Sequence, residues 1–372
     1  MEKSRRFEYT FITLIYSEDF IDDFIHKMKF SKGFNVQWII FDKSGQKNTN
    51  IFKKLKRYNI IYRSACLTWS DAKCYNLAMG LAEGKYICFT NQYISYDKNT
   101  LKSVSFATSK YPDQFLICIS YKFEEEKKKR IHMSLDLQNI HGSNNIHTFL
   151  HSFFIKNSFA RNIKFTDVCE EETGTMYILS AYEKTDTLVY IKNIYCGYPE
   201  KLRRKSNMYY GSNNKDFYIE SLKYNYLPLM MKYDNSDTGI PRWLQYAVYY
   251  QVYFKFYSNM NVRDKALLNQ KEREEFFSIT KRILNYIDDE IIMSNMIKQQ
   301  FSPPFSIRNL FAHLKYDGDM IKLNPFFTIE NNKLYFYQLG CKYDLSKHQD
   351  LKVMAVNIKN GRLIMDMRFS PL

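Results

Sequence analysis

Apolar residues crowd into short runs over the first ninety positions, and polar clusters punctuate the runs at regular spacing. Residues 8–16 (EYTFITLIY) are β-branched and aromatic with no Gly or Pro, which predicts a strand buried on both faces. A helix is predicted next: Ser17 can cap it, Glu18 and Asp19 suit its positive end, and Phe20, Phe24 and Met28 share a face. VQWIIF (36–41) reads as a second buried strand closed by the turn DKSGQKN, followed by a helix over IFKKLKRYN and a strand over IIYRSA. The segment 70–82 predicts a helix stopped by Gly84, and KYICFT (85–90) a further strand. This alternation predicts a parallel, doubly wound α/β sheet, a class that binds ligands beyond the carboxyl ends of its strands. Polar residues gather at those ends, as Tyr16-Ser17, Asp42-Lys43-Ser44 and Thr90-Asn91-Gln92, although each is also an ordinary turn former.

Farther along, 113–123 reads as a strand and EEEKKKR (124–130) as a solvated stretch, while 142–200 mixes short helices and strands. From 240 to 300 the apolar spacing turns helical, closed by Ser302-Pro303-Pro304. RWLQYAVYYQVYFKFY has too many apolar positions for one buried stripe, which points to a second domain, another subunit or lipid headgroups, with burial inside the chain as the plain alternative. After Pro325 short alternating strands surround Asn331-Asn332 and Asn360-Gly361, both turn signals. The expected organisation is an α/β domain over 1–235, a helical subdomain over 236–325 and a β-rich module over 326–372, the last reading as the beginning of something longer.

Charge and composition narrow this picture only in part. Fifty-four Lys and Arg against 39 Asp and Glu leave a formal charge of +15, which favours anionic partners. The 31 Tyr and 29 Phe resemble the codon bias of an AT-rich genome, so the charge is a weak guide, and no nucleic-acid-binding motif accompanies it. Seven scattered Cys without a C-x-x-C pair suit a reducing compartment, and the opening apolar stretch is too short for a secretory signal, so a cytosolic protein is expected. The sequence lacks G-x-x-x-x-G-K, G-x-G-x-x-G and G-x-S-x-G, removing support for nucleotide hydrolases, dinucleotide oxidoreductases and α/β-hydrolases. His141, His147 and His151 have no fourth ligand at metal-site spacing.

Residues 8–95 resemble family 2 glycosyltransferases, the GT-A (Rossmann-like) enzymes that build bacterial capsules, teichoic acids and lipopolysaccharide. The resemblance rests on Thr13-Leu14-Ile15-Tyr16-Ser17, Ile40-Phe41-Asp42-Lys43-Ser44, Cys74-Tyr75-Asn76 and Gly84 through Tyr93, in the family's order and spacing, with the line from Asn76 through GLAEGKYICF the most specific part. HTFLHSFFIKNSFARNIKFTD (147–167) is similar to the acceptor-side strand and helix, CEEETGTMYIL (169–179) to the segment with the family's acidic pair, and YIKNIYCGYPEKLRRKSN (190–207) to its basic closing tail. IPRWLQYAVYY (240–250) resembles a helix that follows the transferase domain in capsule and teichoic acid polymerases, which are often longer.

The resemblance implies transfer of a sugar from a nucleotide-diphosphate donor, a UDP-sugar, to a hydroxyl of a surface polysaccharide, teichoic acid or lipid-linked glycan with inversion. It implies peripheral membrane contact and a further domain or oligomer as companions. Tyr16, Ser17 and Asp42 would hold the base, Asn76, Asn91 and Gln92 would line the donor site, and Arg203 and Arg204 would clamp the diphosphate. Glu171, then Glu172 and Glu170, would supply the catalytic base. The family's Asp-x-Asp loop binds Mg²⁺ or Mn²⁺ through hard oxygens, yet here it reads Asn91-Gln92-Tyr93. Three accounts stand open: Asp97 joins Asn91 as a metal ligand, the cations Arg203, Arg204 and Lys205 replace the metal, or the domain is catalytically degenerate and serves as a binding scaffold.

Overall fold

The computed structural model describes residues 7–17, 21–45, 59–121, 133–143, 146–197, 214–236, 238–260, 267–294, 303–330, 333–344, 351–359 and 362–369. They group into two compact units, 1–283 and 284–372. The expected helix over IFKKLKRYN, the EEEKKKR run, the turns at Asn331-Asn332 and Asn360-Gly361, and the cations Arg203, Arg204 and Lys205 lie outside the described residues, apart from the final Asn59 of that helix segment.

In the first unit, β1 (Phe7–Ile15), α1 (Ile21–Lys27), β2 (Val36–Asp42), β3 (Asn59–Ser64), α2 (Asp71–Leu81) and β4 (Gly84–Asn91) follow the predicted alternation. Nearly every residue of β1, β2 and β4 is buried, as continuous apolar runs demand when helices cover both faces of a sheet. β1 pairs in parallel with β2 and with β4, and β2 with β3, so the carboxyl ends of all four share one edge. A buried amide fastens the opposite edge. The Thr10 hydroxyl donates to Gln37 Oε1 at 2.7 Å, the Glu83 N–H donates to the same oxygen at 2.8 Å, and the Gly84 N–H donates to Thr10 Oγ1 at 2.8 Å.

Beyond β4 the chain forms β5 (Ser95–Tyr96), α3 (Thr100–Lys110), β6 (Leu116–Tyr121), β7 (Ser134–Asn139), β8 (Phe153–Lys156), α4 (Asn157–Ala160), α5 (Thr173–Tyr182) and β9 (Thr187–Gly197). The sheet runs β3-β2-β1-β4-β8-β6-β9-β5, with β7 on β9. The strands read as parallel, β1 to β4, are so, and the part of the sheet beyond them is mixed. β6 lies one place away from β4, and β8 fills the gap antiparallel to both; β6 and β9 are parallel again. The fold is α/β with a mainly parallel half and a mixed half.

Helices complete this unit: α6 (Lys215–Glu220), a π-helical turn Ser221–Tyr226, α7 (Leu227–Asp234), α8 (Arg242–Met260) and α9 (Gln270–Leu284), which runs to the unit's end. α8 settles where its apolar surface goes. Trp243, Leu244, Val248, Tyr249, Val252 and Phe256 are all buried, with Trp243 edge-on to Tyr182 of α5 and Phe256 against Phe276 of α9. The helix is rich in apolar positions because it is an interior helix of this unit, the plain alternative of burial inside the chain. Among the described residues no helix is long and apolar enough to cross a membrane.

The second unit pairs α10 (Asp289–Met293) with α11 (Phe305–Lys315), followed by α12 (Met320–Leu323), an antiparallel sheet β10 (Phe326–Glu330), β11 (Lys333–Gln338) and β12 (Cys341–Asp344), and a hairpin of β13 (Leu351–Lys359) with β14 (Arg362–Phe369). Arg308 donates to the Met293 carbonyl at 2.9 Å and Tyr343 to the same oxygen at 2.6 Å, tying helices to sheet.

Candidate active site

The shared strand edge of the first unit opens into a cavity, and its first wall comes from the strand ends. Tyr16 follows β1, Lys43 follows β2, and Ser70 caps α2 so that Asp71 sits in its first turn, where the helix dipole favours a carboxylate. The Tyr16 hydroxyl donates to Asp71 Oδ2 at 2.5 Å. Lys43 Nζ bridges Asp71 at 2.5 Å and Glu170 at 2.9 Å. Burial pushes the Asp71 carboxyl up to about 6 against the pull of Lys43 and Tyr16. Burial also opposes the charge on Glu170, but Lys43 outweighs it and holds that carboxyl below its usual range. Asp42, buried at the end of β2, accepts from the Ser44 N–H at 2.8 Å and from the Tyr62 hydroxyl.

The second part is a turn of three acids, Glu170–Glu172, leading into α5. Each is tied to a different part of the chain. Glu170 accepts from Lys43, at the strand wall. Glu172, buried, accepts from the fully buried Lys255 of α8 at 2.5 Å and from the Tyr226 hydroxyl. Between them Glu171 accepts from Asn214 Nδ2 at 2.7 Å and from the Cys169 thiol at 3.3 Å, both neutral donors. Asn214 is itself fixed, since its amide oxygen caps α6 through the Asp216 N–H.

The third part is helical and aromatic. Phe217 of α6 and Tyr250, Gln251 and Phe254 of α8 line the cavity together with Tyr16, Asp71 and Asn91 and with Tyr121, Phe149 and His151. His151 Nδ1 donates to the Phe89 carbonyl at 3.0 Å, leaving Nε2 to accept from Asn91 Nδ2 at 3.3 Å. Burial pushes its imidazole down to about 4, so the ring is neutral near pH 7.

The residues expected at the site therefore divide. Tyr16, Asn91 and Glu170, Glu171 and Glu172 meet in one cavity. Ser17 and Gln92 face each other: Gln92 Oε1 accepts from the Tyr16 and Ser17 N–H groups at 2.6 and 3.2 Å, and its amide donates back to the Ser17 carbonyl at 2.9 Å. Asn76 is engaged with the backbone of Phe165, donating at 2.9 Å and accepting at 3.0 Å, which holds the approach to the acidic turn. Asp97 accepts from the Asn99 N–H in its own turn. Lys43, Asp71, Asn214, Lys255 and His151 were not singled out for this site from the sequence. Only Lys43, directly after Asp42, sat at a strand end where it could have been.

These residues do not fit a divalent cation at the Asp-x-Asp position. Asn91 Oδ1 already accepts from the Tyr93 N–H at 2.9 Å, its nitrogen faces His151, and the Gln92 oxygen is filled by two backbone donors. Among the described residues no three His, Cys, Asp or Glu converge as metal ligands.

No family profile matches the chain. It is 26% identical over 324 residues to the minor teichoic acid biosynthesis protein GgaB of Bacillus subtilis (strain 168), an alignment covering 81% of this chain. The chain spans about a third of that protein, 35% of its length. Among solved structures it resembles S. aureus TarS, with a TM-score of 0.59 at 13% identity over 98% of this chain and 64% of that one. TarS residues 1–349 in complex with UDP-GlcNAc give a TM-score of 0.59 at 16% identity, over 89% and 96% of the two chains. At such identities the structures establish the fold. The chain thus has the fold of TarS and is similar in sequence to part of a teichoic acid biosynthesis protein.

Proposed function

We propose that this domain transfers a sugar, of the hexosyl or N-acetylhexosaminyl kind, from a UDP-sugar to a hydroxyl of a teichoic acid or related surface glycan. The kinship with GgaB supports the acceptor class, and the TarS complex with UDP-GlcNAc supports the donor class. Asp42 and Tyr16 would receive the base, and Arg203 and Arg204, outside the described residues, would reach the diphosphate. Glu171 takes the proton of the acceptor hydroxyl as its oxygen bonds to the anomeric carbon; the bond from that carbon to the diphosphate breaks on the opposite side, its electron pair leaving with the nucleoside diphosphate, and the configuration inverts.

One observation carries the assignment. Glu170 and Glu172 are committed to lysines, whereas Glu171 accepts from the neutral Asn214 amide and Cys169 thiol and borders the cavity. Loss of a positioned base costs ~10²–10⁴ in rate while binding persists. Glu171→Gln is expected to bind UDP-GlcNAc as the unmodified protein does, by calorimetry, and to lose transfer by that factor. Unchanged transfer would remove Glu171 from the role.

A second reading, a degenerate scaffold within a larger polymerase, draws support from the way Asn91 and Gln92 are filled by protein donors rather than left for a cation. A protein that binds UDP-sugars yet yields no product from any of them, with or without Mn²⁺, would favour it.

A further inference from the structure

The cavity has two unlike walls, joined by the acidic turn. On one side Glu170 binds Lys43 and the Asp71 N–H, both at the strand ends; on the other Glu172 binds Lys255 of α8. Glu171 thus lies between the strand wall and the helix wall. The strand wall is where an α/β sheet places its nucleotide. The helix wall has different chemistry. Tyr250 and Phe254, one turn apart on α8, are half-buried with rings 6.4 Å apart and 18° from parallel, and Phe217 stands edge-on to Phe254 at 6.1 Å. Gln251 reaches across to Thr148 Oγ1 at 3.5 Å, adding amide and hydroxyl groups beside the rings. Among the described residues lining this cavity there is no Lys or Arg, while four carboxylates, Asp71 and the acidic turn, face it.

We infer that the α8 face bearing Tyr250, Gln251 and Phe254 is the acceptor subsite, and that it takes an uncharged sugar ring of the acceptor, stacked on the two aromatic rings with one hydroxyl turned to Glu171. This rests on the transferase reading above. A pyranose offers an apolar C–H face to an aromatic plane and hydroxyls at its rim to amides and carboxylates, which is the pairing this wall provides. A phosphate of the polymer backbone would meet carboxylates among the described lining residues, and the nearest cations, Lys43 and Lys255, are already engaged by Asp71, Glu170 and Glu172.

The test is saturation-transfer NMR on the whole chain, with methyl β-N-acetylglucosaminide, methyl β-glucoside and glycerol phosphate as probes at saturating UDP. At least one glycoside is expected to bind alongside UDP, and Tyr250→Ala or Phe254→Ala to weaken it about three- to tenfold, the worth of one aromatic contact. Tyr250→Phe should keep the binding, and unchanged UDP affinity in every variant shows that the fold and donor side are intact. The inference is overturned if neither glycoside binds, if the alanine variants bind as tightly as the parent, if the glycoside displaces UDP, or if glycerol phosphate alone binds. Failure of UDP to bind the unmodified protein would instead strike the transferase reading, and the glycoside titration without UDP would still report on α8.

Discussion

Asp71 gives the site a pH signature of its own. An acid that releases its proton at about 6 when folded and at 3.8 when unfolded binds more protons in the native state across that interval. Its contribution to stability therefore falls as pH rises from about 4 to about 6. In Asp71→Asn this loss is absent, while Glu170 remains for Lys43. Urea midpoints should shift in favour of Asp71→Asn between about pH 4.5 and about pH 7; a constant difference across that range would contradict the raised carboxyl. Residue identity alone could not have shown this, because nothing in the order of residues 43, 71 and 170 says that they meet. The amides make the same point. Asn76 and Gln92 stood where ligand contacts were expected, yet each is turned to a backbone segment, and an amide serves either purpose equally well.

At the level of elements, the sequence line that most closely follows the glycosyltransferase pattern contains a steric requirement. A Cβ on Gly84 would sit 2.5 Å from the Thr10 nitrogen, so β1 and β4 can pair here only because position 84 has no side chain. Gly84→Ala should destabilise the fold by about 1–3 kcal/mol in urea titrations, the usual cost of overpacking against backbone that cannot move. The strands β1, β2 and β4 were legible because continuous apolar runs bounded by turn residues announce doubly buried strands. The strand β8 fell within the stretch likened to an acceptor-side strand and helix, but its direction was not legible, since four residues, FFIK, fit a strand either way and carry no sign that it would enter antiparallel.

At the scale of the first unit, the helices α6 and α8 are built into the site. Lys255 is a cation with no exposure, matched to Glu172 and set 4.2 Å above the Phe217 ring. Lys255→Met should cost about 3–5 kcal/mol by stranding a buried carboxylate, and adding Glu172→Gln should recover much of that loss. A loss in the double variant equal to the sum of the losses in Lys255→Met and Glu172→Gln alone would show that the pair is uncoupled. The apolar excess of α8 was legible, but its destination was not, because a helix hydrophobic all round fits an interior as well as an interface.

Three of the ties of the acidic turn span 127, 43 and 83 residues of chain. Closing loops of that length is slow compared with forming a helix or a local hairpin. The site is thus expected to be among the last features to assemble when the chain refolds. Far-ultraviolet ellipticity from the helices should return first and nucleotide binding only afterwards, so a refolding chain would pass through a stage with its helices formed and its chemistry still unmade.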